Sequence, residues 1–217
     1  MSTTANHIDA GGHWHGAGHA EALTSGSEHG ASKRVIVGYG FWIFLISDII
    51  MFSAFFATYA VLTDSTAGGP SGRELFDTTT VAWETACLLS STFFCGLAGL
   101  GAYRRKNALF YGAMAVTFLL GAAFLFLEIH EFAGMIAEGN GPSRSAFLSA
   151  FFALIGCHGL HVTAGLLWLL TMVAQVRAKG YRDDILRRIL CFGLFWHTLD
   201  IIWVALFSLV YLVGVAR

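Results

Sequence analysis

Charged side chains are scarce in this chain: 12% of its 217 residues are Asp, Glu, Lys or Arg, while 56% are hydrophobic. The few charges nearly cancel, 13 Lys and Arg against 14 Asp and Glu, which leaves no excess of one sign to hold a nucleic acid or a strongly charged soluble partner. Proline is rarer still, with two residues, and both stand in Gly-Pro steps, Gly69-Pro70 and Gly141-Pro142, that stop one segment and delay the next. The four cysteines, Cys87, Cys95, Cys157 and Cys191, form no C-x-x-C pair and lie in apolar runs, where a thiol acts as a small hydrophobe. Disulfides, a zinc ribbon and a redox dithiol are therefore not expected. Also missing are a phosphate-cradling Gly-Lys-Ser loop, a nucleophile elbow, a zincin H-E-x-x-H and a dense intramembrane histidine array.

What the chain has instead is long apolar runs and a mean hydropathy of +0.64, which predicts an integral membrane protein. Five stretches, at about 35–62, 80–103, 108–133, 146–176 and 189–214, each exceed the roughly 20 residues that cross hydrocarbon. The expected fold class is all-α, a transmembrane bundle of five helices spanning 35–217. Residues 1–34, rich in Gly, Ser, Ala and His, are expected to be a disordered tail, and the first span an uncleaved insertion signal. Basic residues fall on one side of this topology: Lys33 and Arg34, then Arg104, Arg105 and Lys106, then Arg177, Lys179, Arg182, Arg187 and Arg188. The other side carries only Arg73, Arg144 and Arg217, so the N-terminus is expected in the cytoplasm and the C-terminus in the periplasm. No internal or inverted repeat is evident, which weighs against a secondary transporter.

Titratable groups inside the spans are costly unless they face protein or water, so each is a candidate. They are Asp48, Glu84, Glu128, His130, Glu131, His158, His161, His197 and Asp200. Glu84 and Asp48 are candidates for a proton path or for neutral, hydrogen-bonded packing elements. Glu128 and Glu131 lie about 30 Å along their helix from its cytoplasmic end, at 1.5 Å per residue, and are expected near the outer interface as anchors. His158 and His161 share a helix face, as do His197 and Asp200, because three residues nearly complete a turn. Two readings stay open: His158 or His161 with His197 as axial ligands of a b-type haem, or hydrogen-bonding contacts across helices with Asp200 fixing a histidine tautomer. Trp42, Trp168, Trp196 and Trp203 fit helix packing or interface belts. His13, His15 and His19 lack the surroundings of a specific metal site and are expected to be solvated tail.

Three long motifs, FWIFLISDIIMFSAFFATYAVL, GPSRSAFLSAFFALIGCHGLHVTAGLLW and LFWHTLDIIWVALFSLVYLVG, occur in that order. From about Phe41 onward the chain resembles subunit III of the haem–copper terminal oxidases, and within that family the five-helix form of bacterial cytochrome bo-type ubiquinol oxidases. The family's G-x-H-G-L-H-V helix matches Gly156 to Val162, its W-H-x-x-D motif matches Trp196, His197 and Asp200, and its acidic pair matches Glu128 and Glu131. The resemblance implies a subunit with no metal and no cofactor of its own. Haems and copper are then expected in subunit I, which reduces dioxygen and pumps protons. Implied partners are subunit I as main contact, subunit II, a small subunit IV and membrane lipid, with ubiquinol bound elsewhere in the complex. Longer members carry two further N-terminal helices whose cleft holds phospholipid. This sequence lacks that pair, so lipid-contact residues do not transfer to it.

Overall fold

The computed structural model describes residues 33–68 and 78–212. The expected disorder of the tail, part of the first outer loop and the last five residues lie outside the described residues. Helices α1 Lys33–Leu62, α2 Thr78–Tyr103, α3 Asn107–Ala137, α4 Ala146–Lys179 and α5 Asp183–Leu206 follow one another, and α5 continues into a π-helical stretch, Phe207–Leu212. All five are long and apolar enough to cross a membrane, and there is no strand among the described residues. The chain is thus an all-α, multi-pass membrane bundle. It divides into Met1–Ile36 and Val37–Arg217, and the packing below is that of the second unit.

Two helix ends differ most from the hydropathy bounds, for local reasons. Helix α3 runs past residue 133 because Met135 is still buried. It stops where Gly139 takes φ 79 and the Asn140 N–H returns to the Met135 carbonyl at 2.8 Å, a left-handed cap suited to glycine. Helix α5 starts at Asp183, ahead of the apolar run, because Asp183 and Asp184 favour its N-terminal dipole while Ile185 turns into the core. Charges in DDILRR hide this turn from a hydropathy window.

The connections explain the tight pairing of neighbours. Between α2 and α3, Arg105 adopts φ 54 and the Lys106 N–H bonds the Gly101 carbonyl at 2.9 Å, closing a Schellman-type turn. A Cβ at Gly101 would lie 2.8 Å from the Phe110 backbone nitrogen, so glycine is what lets the hairpin close. Between α3 and α4, Ser145 caps α4 by accepting from the Leu148 N–H at 3.1 Å, and the Ser149 hydroxyl donates to the Pro142 carbonyl.

Cross-helix contacts set an antiparallel register with α4 at the centre. Helix α1 pairs with it through Phe41–Trp168, Phe52–His161 and Tyr59–Phe147. Helix α3 pairs through Phe124–His158 and Phe132–Phe151, and α5 through Trp168–Phe192, His158–Trp203 and Phe151–Tyr211. The buried face of α2, Val81, Glu84, Leu88, Ser91, Cys95, Ala98 and Ala102, alternates steps of three and four, a seam of the coiled-coil kind. On α1 only Leu45, Phe52 and Tyr59 are buried, seven residues apart, while Ile43, Ile46, Ile50 and Val61 face outward. Apolar residues on the outside as well as the inside are what a lipid-facing helix requires.

Candidate functional site

Small residues on α2, α3 and α4 prepare a slot that α5 fills. The Trp196 indole lies against Gly121 and Gly165: a Cβ at Gly121 would approach its Cη2 to 3.0 Å, and one at Gly165 its Cζ3 to 2.8 Å. From that slot its Nε1–H donates to the Ser91 hydroxyl at 3.0 Å. Two turns along α5, the Trp203 Nε1–H donates to the Thr85 hydroxyl at 3.1 Å. Both indoles are buried, so each needs such a partner, and α2 supplies it from serine and threonine on or beside its inner seam. Thr117 extends the set by donating to the Ala113 carbonyl at 2.9 Å.

Above this layer the acids converge. Glu84 of α2 is 0% exposed and Glu128 of α3 is 4% exposed. Glu84 lies within electrostatic reach of both Glu128 and Glu131, and all three reach Tyr211 of the π-helical stretch. Glu128 therefore turns its side chain into the bundle. The reason is Gly159 on α4: a Cβ there would be 2.5 Å from Glu128 Oε1, so the missing side chain makes room for the carboxyl. Glu131, one turn on, is half-buried, and His130 faces outward.

His158 is 0% exposed, its ring boxed by Trp203 at 5.2 Å, Phe124 at 5.8 Å and Phe52 at 6.3 Å. Direct aromatic packing from α1, α3 and α5 does not fit a haem plane against this imidazole. His161 is half-buried, and its Nδ1–H donates to the Cys157 carbonyl at 2.7 Å, which fixes the tautomer. Asp48, on the inner edge of α1, has His161 as its titratable neighbour. Asp200 is buried, with Thr92 of α2 and His197 one turn back on α5 as its polar neighbours. Thus Glu84, Glu128 and Glu131 are brought within electrostatic reach of one another, His158 precedes the Gly159 that accommodates Glu128, and Asp48–His161 and His197–Asp200 are separate neighbours. Among the described residues, no three of His, Cys, Asp and Glu are arranged to hold a metal ion.

Sequence reading missed Ser91, Thr85, Tyr211 and Gly159. Their signal was present but weak: small polar or glycine positions at three- and four-residue steps beside the acids, on helices whose rotation about their axes a sequence does not fix.

A family model described as cytochrome c oxidase subunit III matches residues 3–215. The cytochrome bo(3) ubiquinol oxidase subunit 3 of Pseudomonas aeruginosa is 52% identical over 176 residues, covering 81% of this chain and 84% of the relative. The quinol oxidase subunit 3 of Bacillus subtilis is 41% identical over 178 residues, covering 81% and 86%. The cytochrome c oxidase subunit 3 of Bacillus sp. (strain PS3) is 41% identical over 181 residues, covering 81% and 84%. A family match along nearly the whole chain, and relatives of this identity over most of their own length, agree with the motifs that the bundle assembles around Trp196, His158 and Asp200. The chain belongs to the cytochrome c oxidase subunit III family.

Proposed function

We propose that the chain is the non-catalytic subunit III of a proton-pumping, bo-type haem–copper ubiquinol oxidase, seated beside subunit I in a bacterial inner membrane. The observation that carries this reading is the 52% identity to a cytochrome bo(3) ubiquinol oxidase subunit 3 over 176 residues. In the complex, ubiquinol is oxidised and dioxygen reduced to water at haem and copper centres held by subunit I. Subunit II and a small subunit IV complete the assembly. The N-terminus is cytoplasmic and the C-terminus periplasmic, on the strength of the basic residues in the α2–α3 and α4–α5 connections.

This chain contributes a rigid bundle whose buried acids and histidines fix helix register, with Glu84 and Asp48 as the carboxyls available to support proton uptake. Purification in mild detergent through a tag on this chain tests the reading. The expected eluate contains the other oxidase subunits by mass spectrometry, b- and o-type haem bands and ubiquinol oxidase activity; a stable chain eluting alone contradicts it. Glu84→Gln is expected to leave assembly and haem spectra intact. Undiminished turnover and pumping in that variant through prolonged catalysis removes the proton role and leaves the structural one. A cytochrome c donor is the second reading, favoured by the name of the strain PS3 relative; steady-state assays of the same eluate with each donor separate the two.

A further inference from the structure

Several polar atoms at the centre of the bundle have no hydrogen-bond partner in the protein. They include both carboxyl oxygens of Glu84, Oε2 of Glu128 and both ring nitrogens of His158. Glu84 and His158 are wholly shielded from the surroundings and Glu128 nearly so, hence none is solvated from outside. An unpaired polar atom in such a setting costs several kcal/mol, and bound water making about three hydrogen bonds is the usual remedy.

The groups come from three helices but share one neighbourhood. Glu128 lies over Gly159, the residue after His158. Trp203 packs its ring on His158 and donates to Thr85, the residue after Glu84. Glu84 is in electrostatic reach of Glu128. Phe52, Phe124 and Trp203 pack around the imidazole. Together they give acceptor and donor atoms of both kinds inside an aromatic wall, the chemistry that retains water and repels lipid chains.

We propose that Glu84, Glu128 and His158 line an internal water-binding site, where ordered water joins the carboxyls of α2 and α3 to the imidazole of α4. The site goes beyond a support role, because water held there gives these carboxyls a medium for exchanging protons. It does not depend on which electron donor serves the complex.

Radiolytic footprinting of the intact oxidase in ¹⁸O-labelled water tests the site, since hydroxyl radicals formed on bound water oxidise only adjacent side chains. His158 is expected to label several-fold faster than Phe110 and Phe192 once each is corrected for intrinsic reactivity; all three are equally buried. Glu84→Gln is expected to keep that label and Glu84→Leu to reduce it several-fold. Labelling of His158 no faster than the two phenylalanines overturns the proposal. So does a fast label that Glu84→Leu leaves unchanged in an assembled complex. Should Glu84→Leu fail to assemble, the wild-type comparison decides alone.

Discussion

Glycines 121, 159 and 165 matter for what they leave out. Gly121 and Gly165 admit the Trp196 ring, and Gly159 admits the Glu128 carboxyl. Gly165→Val is expected to prevent close packing of α4 on α5, costing about 3 kcal/mol or more by overpacking. The measurement is retention of the subunit in oxidase purified through another chain, with Leu167→Val, on an outward-facing residue, as the control that retains it. Gly159→Ala presents a milder conflict, because the atom in the way is the end of a flexible side chain. A loss of about 1–3 kcal/mol is expected, and the loss should shrink in the Gly159→Ala/Glu128→Ala pair, since removing the carboxyl removes the clash. Thermal-inactivation midpoints of the four members of that cycle show whether the two positions are coupled. At this scale the sequence displayed the titratable residues, because an acid or histidine in an apolar run stands out. It did not display their neighbours: the step from Glu128 to Gly159 crosses between helices.

Helix α1 illustrates how an element can be obvious in the sequence while its attachment is not. Its length and apolarity mark it as a span, but every face is apolar, so hydropathy names no inner side. The structure selects Leu45, Phe52 and Tyr59, with Asp48 on the same edge facing His161. Lipid is as apolar as these side chains, so α1 is held by close packing, with little hydrophobic driving force. Phe52→Ala is therefore expected to cost on the order of 2 kcal/mol or more by leaving a cavity between α1 and α4. Ile50→Ala, on the outward side, should cost close to nothing. The SDS concentration that releases the subunit from the purified oxidase compares the two. The early start of α5 was hidden for a different reason: its first turn is charged on one side and buries Ile185 on the other, a mixture that averages to nothing in a hydropathy window.

For the whole molecule, the basic connections of α2–α3 and α4–α5 lie at one end of the antiparallel bundle, and the α3–α4 loop at the other. Single cysteines replacing Arg105 and Asn140, in intact cells treated with a membrane-impermeant maleimide, are expected to label at position 140 and not at position 105. Labelling at 105 alone reverses the proposed orientation. The bundle as a whole was legible from five apolar runs and their charged connections, whereas its internal order was not, because that order rests on individual indoles. Trp196 and Trp203 both belong to α5, yet they supply the hydrogen bonds that engage α2 and the wedge that fills the slot between α3 and α4. During synthesis the fifth helix leaves the ribosome after the other four have already entered the bilayer. Until then neither indole exists, so the keyway that the finished bundle closes with Trp196 and Trp203 has no key.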